Sequence, residues 1–265
     1  MKFLFIGDIV GKPGRKAVEH IVPELRRKNN YDLVIANAEN MTHGKGASEK
    51  DVNAMIRIGI DFFTSGNHIW RHRSLVEKMN EPNFPLVRPA NYPVGSPGKG
   101  YRIIEAGHTK VAIMNLMGRV FMPAHLDCPF RKAEEMLAAI EAENVKVIIV
   151  DFHAEATSEK IAFGQFLDGR VSAVLGTHTH VATADYQILP KGTAYITDAG
   201  MVGKKHSVIG VDTPCIIRQF LTQLPVVHEI SEGPAFLNAV ECEIDEKNGK
   251  ATAISSVYEE SDNRA

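Results

Sequence analysis

Short apolar runs of strand length alternate along this chain with stretches whose apolar residues recur at helical spacing. The runs fall at residues 3–6, 33–36, 62–64, 111–116, 145–150, 171–175 and 194–197. The helical stretches fall at 15–28, 48–58, 70–79, 131–143 and 157–167, several opened by a Ser or Thr that can cap them. Such alternation predicts βαβ units around parallel strands. Pro23 lies inside the first helical stretch and, lacking an N–H, is expected to kink or divide it. Residues 84–100, with Pro85, Pro89, Pro93 and Pro97 in quick succession, predict a loop, since strand-like segments resume at once. Near the C-terminus, residues 236–244 and 251–258 flank the turn-rich 245–249, which predicts an antiparallel hairpin at a sheet edge, followed by a frayed tail over 259–265. No internal repeat or low-complexity run is visible, and residues 1–265 are expected to form one domain.

Composition narrows the classes without choosing among enzymes. Hydrophobic residues at 44% and charged residues at 23% suit a globular chain rather than a disordered one. A net charge of -2 supplies no basic excess for gripping many phosphates, so long duplex nucleic acid is not an expected partner. Cys128, Cys215 and Cys242 form neither a disulfide framework nor a zinc knuckle, which points to a reducing cytoplasm. The N-terminal apolar run is too short for a signal peptide and stops at Asp8. No window approaches the ~20 apolar residues of a membrane span.

The candidate chemistry lies at the ends of the strand-like runs. Five of them close on polar residues able to bind metal: Gly7-Asp8, Asn37-Ala38-Glu39-Asn40, Gly66-Asn67-His68, Asp151-Phe152-His153 and Gly176-Thr177-His178-Thr179-His180. Parallel strands open their carboxyl ends on one edge of a sheet, where ligands distant in sequence can converge. The gaps from Glu39 to Asn67 and from His153 to His178 each match one helix plus one strand, which predicts adjacent strand ends. His178 and His180, at i and i+2 on a segment expected to be extended, would face one side together. Asp8, Glu39, Asn40, Asn67, His153, His178 and His180 are too many ligands for a single catalytic zinc and suit two divalent ions bridged by Glu39. The mixed oxygen and nitrogen donors favour iron or manganese, with zinc also admitted.

In order and spacing these motifs resemble the calcineurin-like metallophosphoesterase superfamily, and in detail its bacterial YmdB-type branch. Gly7-Asp8-Ile9-Val10-Gly11, Asn37-Ala38-Glu39-Asn40, Gly66-Asn67-His68-Ile69-Trp70, Asp151-Phe152-His153-Ala154-Glu155, Gly176 to Val181 and Thr197-Asp198-Ala199-Gly200-Met201 carry the likeness over nearly the whole length. It implies a four-layer α/β/β/α sandwich and a dinuclear centre built by those seven ligands, with His68 catalytic. It also implies hydrolysis of small phosphodiesters, above all cyclic nucleotides such as 2′,3′-cyclic AMP. The chain departs from the wider superfamily at Val10, where a histidine is usual, at Glu39, where the bridge is usually aspartate, and at Ile69, where an acid often follows the histidine.

On that pattern a hydroxide bridging the metals attacks phosphorus in line and His68 protonates the departing ribose oxygen. Asp8, Glu39 and the hydroxide cancel three of four positive charges, which suits a monoanionic diester. The alternatives are a phosphomonoesterase or single-strand nuclease, and a regulatory protein that binds a nucleotide or partner with slow turnover. A homo-oligomer is left open. Gly7, Gly11 and Gly14 lack the dinucleotide spacing, and Pro13 sits in their turn. The loop Thr42-His43-Gly44-Lys45-Gly46 could approach a phosphate or be a flexible surface loop, and Arg71-His72-Arg73 could bind an anion or be a solvated helix face.

Overall fold

A computed structural model describes residues 1–230 and 232–261. Along the chain the elements are β1 (Lys2–Ile9), α1 (Gly11–Asn29), β2 (Leu33–Asn37), α2 (Glu49–Ile58), β3 (Phe62–Thr64), α3 (Arg73–Lys78), β4 (Tyr101–Ala106), β5 (Thr109–Met117) and α4 (Pro129–Ala142). They continue as β6 (Val147–His153), α5 (Thr157–Leu167), β7 (Ala173–Thr177), β8 (Gln187–Ile188), β9 (Ala194–Ile196), β10 (Met201–Lys204), α6 (Thr213–Thr222), β11 (Ala235–Asp245) and β12 (Lys250–Ser261). Two six-stranded sheets result, ordered β12-β11-β10-β1-β2-β3 and β4-β5-β6-β7-β9-β8.

Continuous apolar runs arise because both faces of the central strands are covered. In the first sheet Leu4, Ile6, Val34, Ala36 and Phe63 pack under Val18, Val22 and Val52 of α1 and α2, while Phe3, Phe5, Leu33, Ile35 and Phe62 face the other sheet. In the second sheet Val111, Ile113, Val147, Ile149 and Leu175 meet them, while Met114, Val150, Phe152 and Val174 pack under Ile140 of α4 and Phe163 of α5. The layers are therefore helix, sheet, sheet, helix, as the resemblance implies.

The pattern of side chains on the facing sides explains where the site lies. Apolar along most of its length, the space between the sheets turns polar at the carboxyl edge, where Asn37, Thr64, Asp151, His153 and Thr177 continue the rows begun by Ile35, Phe62, Ile149 and Leu175. Asp8 would fall on the helix side with Leu4 and Ile6 but for a bulge: the register against β2 shifts between Ile6 and Asp8, so one extra residue, Gly7, re-aims the carboxylate toward the opposing sheet. A Cβ at position 7 would stand 1.9 Å from the Gly200 carbonyl, so only glycine fits the bulge.

Some sequence expectations change. Pro23 does not divide α1, which is continuous through it; Pro23 and Glu19 lie on the exposed face, where water can satisfy the freed carbonyl. The helix expected over 70–79 is shorter, with a turn at 67–70 and α3 beginning at Arg73. The hairpin β11/β12 forms and β12 is the sheet edge, but it runs to Ser261, so 259–261 are strand and the rest of the expected frayed tail lies outside the described residues. β4, β8, β10 and α6 were not anticipated. Among the described residues no helix is long and apolar enough to cross a membrane.

Phe163 is fully buried and stacked on Phe152 with ring centroids 4.0 Å apart. Phe163→Ala is expected to cost about 3–5 kcal/mol in urea unfolding, whereas Phe220→Ala, on the exposed face of α6, should cost within about 0.5 kcal/mol.

Candidate metal centre

The polar edge is organised by Asp151, which is buried between the sheets and receives donors from both. Asn37 Nδ2 of the first sheet donates to its Oδ2 at 2.8 Å, the Thr64 hydroxyl donates to the same oxygen, and Thr177 Oγ1 of the second sheet donates to Oδ1 at 2.7 Å. Burial pushes the Asp151 carboxyl up to about 7, with these hydrogen bonds working against the rise. Asn37 Oδ1 in turn accepts the Glu39 N–H at 2.8 Å, which fixes the loop that carries Glu39 and Asn40.

The protons on the three imidazoles follow from their outer partners. Thr177 gives its hydroxyl proton to Asp151, so its oxygen accepts from His153 Nδ1 at 2.9 Å and the Nε2 lone pair of His153 points inward. His178 Nε2 lies 3.1 Å from Glu155 Oε2, whose charge favours the proton on that nitrogen and the lone pair on Nδ1, 3.1 Å from His153 Nε2. His180 Nδ1 donates to the Ile209 carbonyl at 2.9 Å, so its Nε2 lone pair faces Asn40 Oδ1 at 3.2 Å. Asn40 cannot offer a proton there, because its Nδ2 is turned to the Gly44 carbonyl at 2.9 Å. Asn67 Oδ1 completes the set, 3.3 Å from His153 Nε2.

The carboxylates show the same want of a cation. Asp8 Oδ2 accepts the His178 N–H at 3.1 Å and Glu39 Oε1 accepts the His68 N–H at 2.6 Å, while Asp8 Oδ1 and Glu39 Oε2 are buried with no hydrogen-bond partner among the described residues. Burial raises the Asp8 carboxyl well above its ordinary range, helped by the Asp198 charge, and raises Glu39 as well. Burial lowers His153 well below its usual value, lowers His178 to about 4 and lowers His180, so all three are held neutral. Neutral imidazoles are the form that ligates metal.

Lone pairs opposed to lone pairs, beside two orphaned carboxylate oxygens, are unfavourable unless a cation lies among them. The seven sequence candidates therefore fit a divalent-metal centre by the chemistry of their donors. Among the described residues no three His, Cys or acidic side chains yet converge on one point at coordination distance. His153 Nδ1 stands 3.9 Å from Asp8 Oδ1 and its Nε2 3.9 Å from Glu39 Oε1.

The structure brings all seven candidates and His68 to one place, but not by the expected route at His178 and His180. The strand ends at Thr177, and both histidines have left-handed backbone, with φ of 101° and 67°. They diverge, one toward His153 and the other toward Asn40. Each such conformation costs on the order of 1–3 kcal/mol. The clamp that holds it is Asp198, whose Oδ2 accepts the Thr179 N–H at 3.0 Å and its hydroxyl at 2.8 Å, with the buried Lys160 Nζ at 2.6 Å. At Gly66 a Cβ would stand 2.2 Å from His153 Nε2, so the ligand ring occupies the place of a side chain.

His68 lines the cleft above the centre, partly exposed, with Nδ1 2.7 Å from Glu39 Oε1 but outside hydrogen-bond geometry. Asp151, Thr177, Asn37, Glu155, Lys160 and Asp198 carry roles that the sequence analysis did not assign. Asp151 was detectable, since it shares the inward face of β6 with His153 in an otherwise apolar strand. Of the other motifs, Lys45 and His43 line the cleft, whereas Arg73 pairs with Glu77 on the surface of α3.

A family model described as a YmdB-like protein matches residues 4–257. A 2′,3′-cyclic-nucleotide 2′-phosphodiesterase of Bacillus subtilis (strain 168) is 48% identical over 258 residues, covering 97% of this chain and 96% of the relative. The crystal structure of a hypothetical protein from Thermus thermophilus is similar with a TM-score of 0.91 at 43% identity, over 98% of this chain and 99% of that one. A novel phosphatase of Mycoplasma pneumoniae is similar with a TM-score of 0.92 at 38% identity, over 100% of this chain and 95% of that one.

In Glu39→Gln the amide can donate to the inward lone pairs that no proton now reaches. The metal-free variant should therefore be more stable than the metal-free parent, by about 1–3 kcal/mol. Added Mn²⁺ should raise the Tm of the parent, by about 2.7 kcal/mol equivalent at a hundredfold excess over Kd, and do much less for the variant. Thermal melts in chelator and in Mn²⁺ check this; an equal metal-induced rise in both proteins would place the metal elsewhere.

Proposed function

Because the chain belongs to the YmdB-like protein family, we propose that it is a metal-dependent phosphodiesterase acting on small nucleotides, with 2′,3′-cyclic nucleotides as its substrate class. It is a phosphoesterase, as its relatives are named. The observation that carries the proposal is the ring of inward lone pairs and orphaned carboxylate oxygens under a cleft of about 660 Å³. Asp8, Glu39, Asn40, Asn67, His153, His178 and His180 would hold two divalent ions, iron or manganese by preference and zinc as an alternative. When bound, the ions supply positive charge and Lewis acidity toward the phosphoryl oxygens.

The remaining work falls to the chain. His68 turns Nδ1 to Glu39, which leaves Nε2 as the nitrogen able to give a proton to the departing ribose oxygen. Asp151 and Thr177 hold the His153 proton on the outer nitrogen, and Glu155 does the same for His178. Among the described residues that line the cleft, Lys45 is the one lysine and there is no arginine. Such a lining adds little positive charge to that of the ions, which suits the single charge of a diester better than the double charge of a monoester. Free thiols at Cys128, Cys215 and Cys242 accord with a cytoplasmic enzyme.

With Mn²⁺ restored after chelation, 2′,3′-cyclic AMP should be opened faster than adenosine 3′-monophosphate is dephosphorylated. A faster monoester reaction would make the protein a phosphomonoesterase. His68→Ala should keep its metal content and lose about 10²–10⁴-fold in turnover of the cyclic nucleotide. A p-nitrophenyl diester, whose leaving group is stable without a proton, should lose far less; equal losses would assign His68 to positioning instead.

A further inference from the structure

The cleft has two unlike sets of lining residues. Four of the candidate ligands, Glu39, Asn40, His178 and His180, make one, and Ile209, Val211, Val226, Val227 and Ile230 make an apolar wall. That wall belongs to the strap of residues 205–230, which leaves the first sheet after β10 and carries α6. The strap is a built part of the site. Its limbs are tied by the Asp212 N–H donating to the Glu229 carbonyl at 2.9 Å, and the Ile209 carbonyl takes the His180 Nδ1 proton.

Apolar side chains on this wall stay open to solvent: Val227 is 80% and Ile209 is 51% exposed. An unpaired aliphatic surface in the same cleft as those candidate ligands is a ligand surface by its chemistry. A phosphate cannot use it, and a ribose edge is too polar to gain from it. Of the parts of a nucleotide, the flat base alone offers matching apolar area. The aliphatic side chains of the wall present no carboxylate, amide or hydroxyl with which to read a base edge, and the polar groups His43, Lys45 and His228 contribute to the rest of the lining.

We propose that the strap wall of Ile209, Val211, Val226, Val227 and Ile230 is a nucleobase subsite that holds purines and pyrimidines by contact area rather than by edge recognition. The subsite rests on the phosphodiesterase assignment for the placement of the phosphate. It makes the base a source of affinity, and the larger purine surface should bind more tightly than the pyrimidine.

Calorimetry on the full-length Mn²⁺-loaded protein tests it with adenosine 3′-monophosphate, uridine 3′-monophosphate and inorganic phosphate. Adenosine 3′-monophosphate should bind more tightly than uridine 3′-monophosphate, and both more tightly than phosphate. Val227→Asp should weaken the adenosine nucleotide by about tenfold while shifting phosphate by no more than about twofold, and Val227→Leu should restore the difference. Equal losses for nucleotide and phosphate, no loss for either, or no measurable nucleotide binding would overturn the subsite. Val227-dependent nucleotide binding in a protein that opens no phosphodiester would uphold the subsite and overturn the reaction. Diester hydrolysis with base-independent binding would do the reverse.

Discussion

Acceptors set against acceptors inside a protein are tolerable only around a cation, and this constraint governs the carboxyl edge of the sandwich. His153 Nε2 meets His178 Nδ1, and His180 Nε2 meets Asn40 Oδ1, each across little more than 3 Å. No proton relieves the second contact, because the His180 proton is given to the Ile209 carbonyl and the Asn40 amide is turned to the Gly44 carbonyl; at the first, the carboxylate of Glu155 beside His178 Nε2 draws the proton outward. The fold thus spends its polar residues on orientation. Thr177, Glu155 and the Ile209 carbonyl each choose a tautomer, and the choice is the same in all three cases: proton outward, lone pair inward.

The two sheets supply this arrangement jointly. Asp151 accepts from β2 and β3 on one side and from Thr177 on the other, so the carboxylate that orients His153 also joins the sheets where their apolar seam ends. Asp198 plays the parallel part for the loop beyond β7, neutralised by Lys160 and clamping Thr179 between two histidines in left-handed backbone. A buried ion pair is a poor source of net stability, and removing one partner leaves a costly unpaired charge. Its presence here goes with holding an unfavourable backbone in place.

How much of this was legible in the sequence depended on range. Strands with two covered faces announce themselves as apolar runs, and residues such as Glu39 and Asn67 could be assigned to adjacent strand ends from spacing alone, as β2 and β3 bear out. The ligand residues were visible as types at strand ends. Their second partners were not: that Asp151 would meet Asn37 and Thr64 depends on two sheets packing face to face, which no local pattern encodes. The Gly7 bulge was equally hidden, because a one-residue shift in register leaves the alternation around it intact. His178 and His180 were expected on extended backbone, where i and i+2 share a side; tertiary hydrogen bonds to Asp198 and Ile209 override that preference. β10 escaped because four residues are too few for a periodic signal, and α6 has helical periodicity but buries only Ile216.

The carbonyl of Ile209 belongs to the backbone, and so its service to His180 cannot be removed by changing a side chain. It can be removed by moving the strap. If that carbonyl withdraws, the His180 ring is free to turn and present N–H where a lone pair is required, so the position of a surface excursion and the grip on a metal ion are thermodynamically linked. Linkage of this kind is reciprocal. An ion held through the His180 lone pair would favour the strap in this position, and a ligand that binds better to the strap so placed would strengthen the hold on the ion by the same factor.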